Sequence, residues 1–129
     1  MRITTANKIL LTDKNGSIEV KLDDLTKAIY FFYLKHPEGA TLKELYLYEK
    51  EILGIYEKIT GRGEPEAIIR SITNLLNPLE GRFNSNISRI KKAFKDIFDD
   101  RIARFYYVDG TAGETRKISL DRELVTWDY

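Results

Sequence analysis

Cations at helical spacing are the first chemistry this sequence offers. Stepping along residues 85–98 at about 100° per residue gathers Ile87, Ile90, Ala93, Phe94, Ile97 and Phe98 on one side. Ser85, Ser88, Arg89, Lys92 and Lys95 fall on the other. Such a face can neutralise phosphate oxygens, and a guanidinium can also form the paired hydrogen bond that reads guanine. Arg104, Arg116 and Lys117 follow closely and extend the positive stretch. The excess is local, because residues 1–81 carry 11 basic and 12 acidic side chains, 82–117 carry 9 and 5, and 118–129 carry 1 and 3. A chain of net charge +1 thus concentrates +4 in one segment. The plain alternative is a solvated helix face, and Asp96, Asp99 and Asp100 dilute the field at its end.

Other chemistries have few residues to work with. With no Cys there is no thiol nucleophile, thiolate zinc site or disulfide framework, and a single His disfavours imidazole-based metal or acid–base pairs. His36, beside Pro37, reads as a helix-end residue, capping or exposed. Asp23-Asp24 reads as a helix cap and Asp99-Asp100 as a helix terminus rather than as metal pairs. Gly61-Arg62-Gly63-Glu64 ahead of a helix could turn backbone amides toward an anion, but it matches neither the P-loop nor the dinucleotide pattern. The run Tyr30-Phe31-Phe32-Tyr33 could stack bases, but ordinary core packing explains it and is the favoured reading. No enzyme activity, metal or cofactor is expected.

The elements that must position these residues are legible in outline. Ile9-Leu10-Leu11, then Asp13-Lys14-Asn15-Gly16, then alternating Ile18, Val20 and Leu22 predict a β-hairpin, with Asn15-Gly16 in the turn. A first helix is predicted over 24–35, capped by Asp23 or Asp24 and central in the fold because its rings cover more than one face. Thr41 and Glu44 form a capping box, opening a second helix whose inward stripe is Leu45, Ile52, Ile55, Tyr56 and Ile59. Gly54 within it implies a close contact or a bend. Pro65 opens a third helix, closed by Asn77-Pro78. The cationic helix follows over 85–98, with Asn84 or Ser85 as cap. From Ala103 the period becomes two, predicting a second hairpin over 103–120 with a glycine-rich tip. Leu124, Val125 and Trp127 predict a docked C-terminus.

This order resembles a winged helix, in particular the output domain of OmpR/PhoB-type two-component response regulators. The resemblance rests on Ser17-Ile18-Glu19-Val20-Lys21-Leu22 leading into Leu25, on His36-Pro37-Glu38-Gly39 before Thr41-Leu42-Lys43-Glu44-Leu45, and on Asn86-Ile87-Ser88-Arg89-Ile90-Lys91-Lys92-Ala93-Phe94. The last piece looks like that family's recognition helix, and the C-terminal hairpin sits where the wing would be. The chain departs from the family in its helix over 65–76 and in lacking room for a receiver domain. What the resemblance implies is a module for double-stranded DNA. Ser85, Ser88, Arg89 and Lys92 would face the major groove, and Lys95, Arg104, Arg116 and Lys117 would meet phosphates.

At 129 residues and 43% hydrophobic, the chain fits one α+β domain over 1–129 with a true core. No apolar run reaches the length of a membrane span, so a cytoplasmic location without membrane contact is the expectation. A protein-binding role, with a partner protein or a second copy, is the alternative. Tyr46, Tyr48, Tyr106 and Tyr107 are the rings expected to be exposed for it.

Overall fold

Apolar alternation closes the first hairpin as expected, with a change at its tip. The computed structural model describes residues 1–61 and 63–129. In it β2 (Ile9–Asp13) pairs antiparallel with β3 (Gly16–Val20), placing Ile9 opposite Val20, Leu11 opposite Ile18 and Asp13 opposite Gly16. Lys14 and Asn15 therefore form the loop, and only Gly16 takes a positive φ, 121°. The side chain of Asp13 accepts the Asn15 amide at 2.7 Å, and Asn15 keeps a negative φ where a type I′ Asn-Gly turn would need a positive one. β1 (Arg2–Ile3) adds antiparallel to β2, and β6 (Thr126–Trp127) adds parallel to β1, giving a mixed sheet of order β3-β2-β1-β6. The docked C-terminus is thereby built into the sheet. Ile3, Ile9 and Val20 are buried on one sheet face, whereas Ile18, nearer the hairpin tip, stays 51% exposed.

Against that face lies α1 (Asp24–Lys35), capped by Asp23, whose carboxylate accepts the Thr26 amide at 3.0 Å. Every residue from Ala28 to Leu34 is buried. Phe31 meets the edge of Trp127 on the sheet side, and Tyr30 meets Phe94. The aromatic run is core, so it offers no surface for stacking bases.

The second predicted helix is two pieces. Thr41 and Glu44 complete the capping box of α2 (Leu42–Leu45), a 3-10 turn follows at Tyr46–Tyr48, and α3 runs Glu49–Thr60. Three-per-turn winding brings Leu45 and Tyr48 to the same side. Leu45 is buried there, and the Tyr48 ring packs on Phe32 and His36. Ile52 and Ile55 continue the buried stripe. At Gly54 no close contact exists, since a Cβ built there would meet nothing within 4 Å.

α4 (Pro65–Leu76) begins at its proline and buries Ile72, Leu75 and Leu76. α5 spans Arg82–Lys95, starting and ending three residues earlier than expected, with Gly81 as cap in place of Asn84 or Ser85. Phe83, buried in the first turn, is what anchors the earlier start. The strand expected from residue 103 is instead helix, α6 (Asp100–Tyr106). The Asp99 carboxylate accepts the amides of Arg101 and Ile102 at 3.0 and 3.3 Å, and Asp100 pairs with Arg104 one turn on, so a capped turn overrides the alternation.

The second hairpin is correspondingly shorter: β4 (Val108–Asp109) pairs antiparallel with β5 (Lys117–Ile118). Just before β5, Arg116 exchanges both backbone hydrogen bonds with Ala40, at 3.0 and 3.1 Å, which ties the hairpin to the segment between α1 and α2. The architecture is α+β. Among the described residues no helix is long and apolar enough to cross a membrane.

Candidate nucleic-acid interface

Burial on one side of α5 fixes what the other side presents. Ile87, Ile90 and Phe94 enter the core, and Asn86 is buried with Oδ1 2.6 Å from the Thr26 hydroxyl of α1. That leaves Ser85, Ser88, Arg89, Lys92 and Lys95 exposed. α4 does not cover this face, for the Arg89 side chain is 64% exposed.

The charge on the face is largely paired. Arg89 Nη1 lies 3.2 Å from Asp23, Lys92 Nζ lies 2.9 Å from Asp96, and Lys95 Nζ lies 3.6 Å from Asp100. Arg104 projects from α6 rather than from a wing strand and shares Asp100 at 2.9 Å. Burial alone would raise the Asp23 pKa, but the hydrogen bonds from Thr26, together with the charge and hydrogen bond of Arg89, leave it lowered. The Arg104 hydrogen bond, with the nearby Lys95, holds Asp100 below the ordinary carboxylate value. All four pairs are solvent-exposed and therefore weak, so a phosphate can displace the carboxylate.

Arg116 and Lys117, expected to act together on phosphates, are separated by the fold. Arg116 is 8% exposed and spent on structure: Nη1 donates to Gly110 O, Nη2 to Asn84 Oδ1, both at 3.2 Å, and the guanidinium lies over the Phe83 ring. Strand alternation turns Lys117 outward, and it has no carboxylate partner among the described residues.

Between α5 and the hairpin lies a groove of about 350 Å³, lined by Ser88, Lys91, Tyr107, Asp109 and Ala112 among others. Lys91 was not singled out by sequence, because it sits between the two helix faces; its Nζ rests 5.3 Å from the Tyr107 ring centroid. Of the tyrosines expected outside, Tyr46 is exposed, Tyr48 and Tyr106 are half-buried, and Tyr107 is buried. Tyr106 stacks on Phe94 and Phe98, and its backbone oxygen accepts from Tyr30 at 2.7 Å.

His36 is α1's C-cap and is clamped, with Nδ1 3.0 Å from Glu38 and Nε2 2.6 Å from Glu51. Arg62, in the candidate anion-binding segment, lies outside the described residues. No protein-family model matches this sequence, and no curated protein or solved structure is detectably similar to it.

Proposed function

We propose that the chain is a winged-helix module that binds double-stranded DNA, with α5 as its reading helix and the β4–β5 hairpin as its wing. The observation that carries this reading is the exchange of backbone hydrogen bonds between Ala40 and Arg116. It bridges the α1–α2 connection to the hairpin, and the Arg116 side chain then reaches Asn84 in the first turn of α5. Ser85, Ser88, Arg89 and Lys92 then stand on the open face, with Lys91 in the groove and Lys117 on the hairpin. Lys95 and Arg104 remain candidate phosphate contacts once Asp100 yields them. α4 and α6 are additions to the usual winged-helix order, and both pack behind or beside α5 rather than over Arg89.

Duplex binding over a salt series tests this directly. Each phosphate contact should contribute about −0.9 to the slope of log K against log salt, so a few contacts give modest, strongly salt-dependent affinity. Replacing Arg89 and Lys92 together by Gln should abolish duplex binding and leave the melting temperature unchanged. Binding that ignores salt, or is unaffected by the double variant, rejects the reading.

A second reading has its own observation. Ile102, Phe105 and Leu124 are 47%, 53% and 59% exposed around one groove beside α6, an apolar surface suited to a protein partner. Phe105→Ser should abolish co-purification of a defined partner from nuclease-treated lysate without altering DNA binding.

A further inference from the structure

A groove with uncompensated positive charge lies away from α5. It runs between α1 and α3, holds about 230 Å³, and includes no residue of α5 or of the β4–β5 hairpin. Lys50, Gly54 and Lys58 recur at intervals of four along α3, so they share one stripe, with Gly54 a notch between two lysines roughly 12 Å apart along the axis. Open space at Gly54 is what makes the groove concave there. Across from that stripe, α1 supplies Phe31 and Lys35, and Ile55 and Ile59 complete an apolar floor. Asn7 and Tyr129 close one rim: Asn7 Nδ2 donates to Lys58 O at 3.5 Å, and the Tyr129 hydroxyl donates to Asn7 Oδ1 at 2.9 Å.

Lys35, Lys50 and Lys58 have no carboxylate partner among the described residues, unlike Arg89, Lys92, Lys95 and Arg104. Lys35 rests over the Trp127 ring, 5.3 Å from its centroid. The groove's carboxylate, Glu51, is already engaged by His36. Three ammonium groups around a small apolar floor match in chemistry a molecule with a negative head and a compact hydrocarbon body. At this volume the body is smaller than a drug-sized ligand.

We propose that the groove between α1 and α3 binds a small amphiphilic organic anion, its carboxylate or phosphate head held by Lys35, Lys50 and Lys58 and its apolar body set on Phe31, Ile55 and Ile59 at the Gly54 notch. This site is independent of the DNA reading.

Trp127, the single tryptophan of the chain, lies against both Phe31 and Lys35 and serves as the reporter. Its fluorescence is followed while the full chain is titrated with cyclohexylacetate, cyclohexylmethyl phosphate, cyclohexylmethanol or inorganic phosphate. Saturable changes are expected with the first two, and the one that binds tighter identifies the head group. The alcohol and the free phosphate should bind at least tenfold more weakly. Gly54→Leu, which fills the notch, and Lys50→Gln with Lys58→Gln, which removes charge from an exposed face, should each weaken binding by roughly tenfold or more, a loss of about 1.4 kcal/mol. Equal binding of alcohol and carboxylate would show that the lysines play no part, and equal binding of free phosphate would show the same for the apolar floor. Either result, no saturable response to any probe, or full binding by the folded variants overturns the proposal.

Discussion

Arg116 Nη2 donates to Asn84 Oδ1 at 3.2 Å, fastening the start of the second hairpin's return strand to the first turn of α5. With Nη1 on Gly110 O as well, one side chain spans the hairpin loop and the helix. Its neighbour Lys117 points to water. Two adjacent cations therefore predict opposite outcomes. Arg116→Leu should destabilise the fold by about 2–3 kcal/mol, the cost of two charged hydrogen bonds and of polar groups left without their partner. Lys117→Gln should leave the melting temperature unchanged and, if the hairpin meets phosphate, reduce the salt slope of duplex binding by about 1. Thermal melts of both variants, followed by the salt series on Lys117→Gln, check the pair.

Asn86 carries a second prediction. Its Oδ1 approaches the Thr26 hydroxyl at 2.6 Å, and its Nδ2 donates to Arg82 O at 2.9 Å, so it links the start of α5 to the first turn of α1. The site is buried and polar, where losing a partner is costly. Asn86→Ala should cost about 1–3 kcal/mol in urea unfolding. Ser85→Ala, one residue away but exposed, should stay within about 0.5 kcal/mol of the parent.

What the sequence disclosed was local chemistry. Asp23 and the Thr41–Glu44 box mark helix starts through bonds within one turn, Pro65 marks one through its fixed φ and missing amide proton, and each stands at a helix start. The strand expected from Ala103 misled because a short helix through Tyr106 buries Ala103 as well, and the decisive bonds come from Asp99 upstream. The candidate DNA face was legible as a helix surface, and two of its ion pairs, Lys92–Asp96 and Arg104–Asp100, follow from spacing alone. Arg89–Asp23 could not be read, since 66 residues separate the partners. Nor could the burial of Arg116, which depends on Ala40 pairing across the fold.

The glycines supply a third test, with opposite signs at two positions. Gly54 sits in the middle of α3 with nothing near a built Cβ, so Gly54→Ala should stabilise by up to about 1 kcal/mol through helix propensity and a less flexible unfolded chain. Gly39 adopts φ +77°, and a Cβ there would collide with the Arg116 carbonyl and the Lys117 side chain. Gly39→Ala should destabilise by more than the Gly54 variant gains. Melting temperatures of the two alanine variants decide both signs at once.

The pH dependence of stability should carry the signature of His36. Its ring stacks on Phe32 and tilts against Tyr48, Glu51 of α3 faces Nε2, and Glu38 faces Nδ1. Burial alone would lower the imidazole pKa, but the hydrogen bonds and charges of Glu51 and Glu38 outweigh it, so the pKa is raised above its ordinary 6.5. A group that holds its proton more tightly when folded stabilises fully below its unfolded pKa, and that contribution is lost as pH rises through the folded one. Stability should therefore fall as pH climbs from about 6 toward 8. The Met1 amine, whose pKa burial lowers from 8.0, adds a slope of opposite sign in the upper part of that range. Comparing urea midpoints of the parent with those of His36→Gln isolates the histidine, because the amine is common to both. The difference between the two proteins should be largest at the acid end and level off to a constant at the alkaline end, where the ring's packing on Phe32 and Tyr48 still separates them. A difference that instead grew with pH would mean that His36 is held neutral in the folded chain, with its single N–H donating to only one of Glu38 and Glu51.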